Sequence, residues 1–130
     1  MRGLTTVLNN LVGLIFRSRA VRARTFLECG KELSQDADYD RAIALYDQAI
    51  FLNAESSEAH KFRGDAYREL AEYKRAIQDY DEAIRLDPEG AGCYNNRGIA
   101  YGNLAQHERT IEDLDEAIRL DPEYDAAYYN

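Results

Sequence analysis

The sequence predicts an all-α fold, a solenoid of helix-turn-helix units stacked along the chain, and three observations carry that prediction. The string DEAIRLDPE occurs at 81–89 and again at 115–123, an offset of 34 residues. The same offset links Gly30, Gly64 and Gly98. Within each frame of that length the apolar residues recur three or four apart, the period of an amphipathic helix, and the strict alternation of a strand is absent. A fixed period of this kind marks a repeat architecture, in which a unit too small to bury its own apolar face stacks on its neighbours.

Residues 1–22 precede the repeating frame. Leu4, Val7, Leu8, Leu11, Leu14 and Ile15 fall at helical spacing and form one apolar stripe, followed by a basic run from Arg17 to Arg24. Three readings of this segment stay open. It is a capping helix over the exposed end of the first repeat, an arginine-rich targeting segment, or an amphipathic helix on a membrane surface, with residues 1–24 as the anchor. The stretch from Leu4 to Phe16 is about 13 residues and interrupted by polar ones, too short to span a bilayer.

The frame then divides the chain into repeat 1 (23–56), repeat 2 (57–90) and repeat 3 (91–124), with 125–130 in the phase of a fourth unit's opening. The preserved columns are small or apolar: Ala49, Ala83 and Ala117; Leu52, Leu86 and Leu120; Ile43, Ile77 and Ile111; Ile50, Ile84 and Ile118; and Leu33, Tyr67 and Tyr101. First helices are expected near 23–36, 57–70 and 91–104, and second helices near 39–52, 73–86 and 107–120. Pro88 and Pro122 stand just past the second helices, where a missing amide and a fixed φ end a helix at little cost. Glycine inside a helix costs about 1 kcal/mol relative to alanine, so its return at positions 30, 64 and 98 implies a close backbone contact. The expected partner is the small residue of the second helix, Ala42 or Ala76, with Thr110 as the larger occupant in the third unit.

These residues resemble the tetratricopeptide repeat, a 34-residue helix-turn-helix family with this glycine, alanine, aromatic and proline pattern. Unit two carries Gly64, Tyr67, Ala76, Tyr80, Ala83 and Pro88; unit three carries Gly98, Tyr101, Ala117 and Pro122, but has Thr110 and Leu114 where alanine and an aromatic are usual. Unit one keeps Gly30 but has Ala54 in place of the closing proline. The resemblance implies a right-handed superhelix whose first helices line a concave groove for a peptide or helix of another protein. Lys31, Lys61, Phe62, Asp65, Arg68, Asn95, Asn96, Ile99 and Asn103 are the groove candidates, since first-helix positions off the preserved columns vary freely between units. One subgroup of the family grips the C-terminal carboxylate of chaperones through lysine, arginine and asparagine. Lys61 and Asn96 match that set, but Asp65 stands where an asparagine is expected, and Ala126 and Asn130 where bases are.

Charge and chemistry narrow the function further. Residues 1–27 hold five arginines and no acid, whereas 28–130 hold 11 basic residues against 24 acidic ones, a formal minus 13. Such a body repels phosphate backbones, so no nucleic-acid partner is expected and an RNA-binding helical repeat is a remote alternative. His60 and His107 replace aromatics of other units and read as half-buried packing residues; Cys29 and Cys93 lack a neighbouring base at nucleophile spacing. The acids of Asp79 to Glu82 and Glu112 to Glu116 read as a solvated face, Asp81 pairing with Arg85 and Asp115 with Arg119 at i,i+4 spacing. No enzyme activity, metal or cofactor is expected. The sequence therefore reads as a cytoplasmic protein-interaction scaffold for a protein or peptide. Its alternatives are an adaptor recruited to a membrane or organelle by the N-terminal segment, and self-association through an incompletely covered C-terminal end around Leu114, Ala117 and Leu120.

Overall fold

Local chemistry sets where each helix starts and stops. The computed structural model describes residues 2–13 and 17–123. Helices α1 (Arg2–Val12), α2 (Arg19–Gln35), α3 (Tyr39–Leu52), α4 (Ser57–Glu69), α5 (Tyr73–Leu86), α6 (Ala91–Asn103) and α7 (His107–Leu120) follow one another, and no strand occurs among the described residues. Ser18, Asp38 and Ser56 cap α2, α3 and α4 by accepting from the amides of Val21, Arg41 and Ala59, which satisfies N–H groups that a helix start leaves open. Ser18 accounts for the one large boundary difference: α2 begins at Arg19, four residues before the repeat frame. The segment 125–130 lies outside the described residues.

The turn inside each pair is the same three times. Ala37, Ala71 and Ala105 adopt left-handed φ of 59°, 59° and 58°. Around Ala71, its own amide donates to Arg68 O at 2.9 Å and the Glu72 amide to Tyr67 O at 2.8 Å, the paired bonds of a Schellman motif. At the other end of each pair Asn53, Asp87 and Asp121 accept from the amides of Glu55, Glu89 and Glu123. This side-chain turn closes unit one without the proline that units two and three carry.

Each first helix packs on the following second helix, α2 on α3, α4 on α5 and α6 on α7, and α3 and α5 pack in turn on α4 and α6. The glycines permit the closest of these approaches, but the alanine expected to meet them does not. A Cβ at Gly30 would lie 2.5 Å from Tyr46 Cε1, and one at Gly64 3.0 Å from Tyr80 Cε1 and 3.2 Å from Asp79 Cβ. The aromatic ring of the second helix, fully buried in both cases, lies over the glycine of the first helix and fills the space. Ala42 and Ala76 are buried beside these rings. In unit three, where Leu114 replaces the ring, the Thr110 hydroxyl donates to Gly98 O at 3.0 Å.

Charged columns are preserved as well as apolar ones. Arg63 donates to both oxygens of Asp79 on α5 and to Asp47 on α3. Thirty-four residues on, Arg97 repeats the pattern with Asp113 on α7 and Asp81 on α5. Asp81 is thus tied to the next unit rather than to Arg85, which pairs with Glu82, and Arg119 pairs with Glu116 rather than Asp115. In unit one the arginine position is Cys29 and the position of Asp79 and Asp113 is Leu45. There α1 lies on α2, and Val7, 1% exposed, joins the core of Leu27, Cys29 and Leu33 with Leu4 and Leu11 against it. An apolar neighbour has replaced the ionic one.

The stripe on α1 is narrower than the sequence suggested, since Leu8 is 55% exposed, and Leu14 and Ile15 lie outside the described residues. Part of the basic run is engaged internally. Arg19 donates to Leu52 O at 2.7 Å and Phe51 O at 3.1 Å, at the C-terminus of α3, where a cation is favoured. At the far end, of the three residues expected to be incompletely covered, Leu114 and Ala117 are buried and Leu120 is half-buried. Ile111 is the exposed apolar residue of α7, at 59%.

Candidate partner-binding face

Helices α2, α4 and α6 lie side by side along one face, in contact with one another as α2 with α4 and α4 with α6. This follows from the phase of the repeat, since the columns that build the stack occupy the other sides of these helices. At the α2–α4 junction, Lys31 Nζ donates to Glu58 at 3.3 Å and lies 4.9 Å from the centre of the Phe62 ring. Lys61 lies 5.2 Å from the same centre. Two ammonium groups near one ring draw on its negative π face. Phe62 also stacks on Tyr46, with centroids 6.3 Å apart, so it belongs partly to the core.

At the α4–α6 junction, Asp65 Oδ1 accepts from Tyr80 Oη at 2.5 Å and from Asn96 Nδ2 at 2.9 Å. Asn95 in turn donates to Asn96 Oδ1 at 3.3 Å. Burial pushes the Asp65 carboxyl above its ordinary value, against the lowering effect of Tyr80, Arg68, Lys61 and Asn96. Burial and the neighbouring Asp65 charge push the Tyr80 hydroxyl far up, so it stays a donor.

The nine residues singled out from sequence thus divide. Lys31, Lys61, Phe62, Asp65 and Asn96 are partly exposed and meet at the two junctions, and Ile99 is partly exposed on α6. Arg68 is partly exposed and pairs with Glu69 at 3.6 Å. Asn103 is exposed and donates to Ile99 O on its own helix. Asn95, only 2% exposed, offers almost no surface and serves the network behind Asn96. Sequence reasoning missed the pairing of Asp65 with Asn96 across units; the signal was their polar types at facing phases.

Of the groups that could do chemistry, His107 is exposed on α7 rather than half-buried, and His60, Cys29 and Cys93 are buried in the stack. His60 is buried rather than half-buried, its Nε2 3.3 Å from Ala54 O and its Nδ1 3.7 Å from Asp79. Cys29 and Cys93 are buried, and burial raises the Cys93 thiol to about 11, leaving it protonated at neutral pH. Among the described residues no group of three or more His, Cys, Asp or Glu could hold a metal ion, and no helix is long and apolar enough to cross a membrane.

Three helix pairs stacked at a constant sequence offset, with their preserved residues turned into the stack, define a helical-repeat solenoid. The family model described as TPR repeat matches residues 64–104, and that described as tetratricopeptide repeat matches 91–124. The chain is a tetratricopeptide-repeat protein. Its fold is similar to the Arabidopsis OM64 TPR domain, with a TM-score of 0.85 and 24% identity over 86% of this chain and 93% of that one. It is also similar to the first TPR of Spaghetti (RPAP3) bound to the HSP90 peptide SRMEEVD, at 0.83 and 24% over 85% and 87%. MamA matches at 0.79 and 27% over 82% of this chain and 62% of its own. No curated protein matches the chain in sequence.

Proposed function

We propose that this protein is a non-catalytic interaction module that binds an extended peptide or a helix of a partner protein on the face of α2, α4 and α6. One observation carries the reading. The residues that repeat from unit to unit hold the stack together, whereas those on this face differ in every unit and mix cation, anion, amide and aromatic groups. The RPAP3 domain captured with an HSP90 peptide supports it by showing that a domain of this fold takes up a short peptide. The packing of Val7 and the engagement of Arg19 support α1 as the cover of the first pair, rather than as a membrane anchor.

Selection of a random peptide library against the intact chain tests the reading. Enriched peptides should bind wild-type protein and lose affinity for Lys61→Ala and Ile99→Ala, while both variants keep the wild-type melting temperature within a degree or two. Failure to enrich any peptide, or enriched peptides indifferent to both substitutions, would overturn it.

A further inference from the structure

We infer that Asp65 sets the specificity of this face: it selects an internal partner segment that places a lysine or arginine side chain on its carboxylate, and it rejects a free C-terminal carboxylate. The inference rests on the peptide-binding reading above and adds the partner's chemistry. Asp65 is fixed in place by two donors on a single oxygen, Tyr80 Oη from α5 and Asn96 Nδ2 from α6. Its second oxygen, Oδ2, accepts no hydrogen bond among the described residues, and the side chain is partly exposed at the junction of α4 and α6. A carboxylate held rigidly by one oxygen and open at the other is preorganised to receive a donor.

Arg68 and Lys61 are near enough to lower the Asp65 pKa, but neither lies within ion-pair distance of it. Arg68 pairs with Glu69 and Lys61 lies by the Phe62 ring, so Oδ2 has no direct cationic partner among the described residues. Burial disfavours the charged carboxylate, and an incoming ammonium or guanidinium relieves that cost. The body from residue 28 onward carries a formal minus 13, which steers a basic segment toward the protein and a polyanionic terminus away. A terminal carboxylate would meet the Asp65 charge, and like charges brought together at an interface repel.

The test runs on the full chain and on Asp65→Asn, which keeps an oxygen to accept from Tyr80 and Asn96. A library of octapeptides blocked at both ends is selected against each in parallel. Wild type should enrich lysine or arginine at one fixed position, and Asp65→Asn should lose that enrichment. The heptapeptide SRMEEVD with a free carboxylate should bind wild type poorly and Asp65→Asn roughly tenfold or more tightly. The inference is overturned if wild-type peptides enrich without a fixed cation, if Asp65→Asn retains it, or if the heptapeptide binds both proteins alike. A wild-type selection that enriches nothing overturns the peptide-binding reading itself, and this inference with it.

Discussion

Arg63 and Asp79 form a two-pronged ion pair, Nε to Oδ2 at 2.9 Å and Nη2 to Oδ1 at 2.7 Å, and the arginine's third nitrogen reaches Asp47 in the preceding unit at 2.8 Å. One side chain therefore clamps α4 to α5 and to α3. The Asp79 side chain is 6% exposed and that of Arg63 22%, so loss of either leaves a charge largely stripped of water.

Arg63→Ala is expected to destabilise the fold by about 3–5 kcal/mol, because it leaves the Asp79 carboxylate, 6% exposed, buried without its ion-pair partner. Unit one supplies the remedy, having Cys29 and Leu45 at the matching positions. The double variant Arg63→Cys, Asp79→Leu should be less destabilised than the sum of its single substitutions. Urea denaturation in a double-mutant cycle reads the coupling, and strict additivity would refute the clamp.

Gly30→Ala should destabilise by about 1–3 kcal/mol through overpacking, although alanine is the better helix former by about 1 kcal/mol. The new methyl group would meet a Tyr46 ring that is fully buried and hydrogen-bonded to Ser34. Gly64→Leu should act in the same direction against Tyr80. A neutral or stabilising result at either position would remove the ring-on-glycine contact from the account.

Ala71→Gly should stabilise by roughly 0.5–1 kcal/mol, because the left-handed conformation costs alanine more than glycine loses in unfolded-state entropy. Thermal melting measures it. A lower melting temperature would mean that the alanine methyl contributes packing that outweighs its strain.

The same comparisons show what the sequence carried and what it did not. The 34-residue period located α3 to α7 to within a residue, because apolar spacing and helix length are local properties. It placed the start of α2 four residues late, since Ser18 lies before the frame. The glycine column announced a close contact, but spacing could not tell whether alanine or tyrosine filled it. The charged columns were legible at the same offset, as Arg63 and Arg97, Asp79 and Asp113, and Asp47 and Asp81, but charge at a fixed phase does not by itself distinguish a solvated face from a buried clamp. Left-handed alanines leave no mark, as alanine has no preference for that conformation. On the face itself, phase identified Lys61, Asp65 and Asn96, while the burial of Asn95 and the bond between Asp65 and Asn96 arise only when units pack.

Asp65 gives a pH dependence whose sign is fixed. Burial raises its carboxyl above the ordinary 3.8, so folding takes up a proton between the unfolded and the folded value. Its contribution to stability is greatest below about 4 and declines as pH rises through the folded value. The stability of wild type relative to Asp65→Asn should therefore fall between acid and neutral pH. Denaturation midpoints of both proteins across that range check it, and a difference that grows with pH would contradict it.

The central claim, that a partner segment lies on the face of α2, α4 and α6, is tested most directly by nuclear magnetic resonance. Isotopically labelled protein would be titrated with a selected peptide and its amide and side-chain shifts followed. The account predicts that the largest changes fall on Lys31, Lys61, Asp65, Asn96 and Ile99, with α3, α5 and α7 little affected on their outer sides. Changes concentrated on the outer residues of α3, α5 and α7, with this face unmoved, would contradict it.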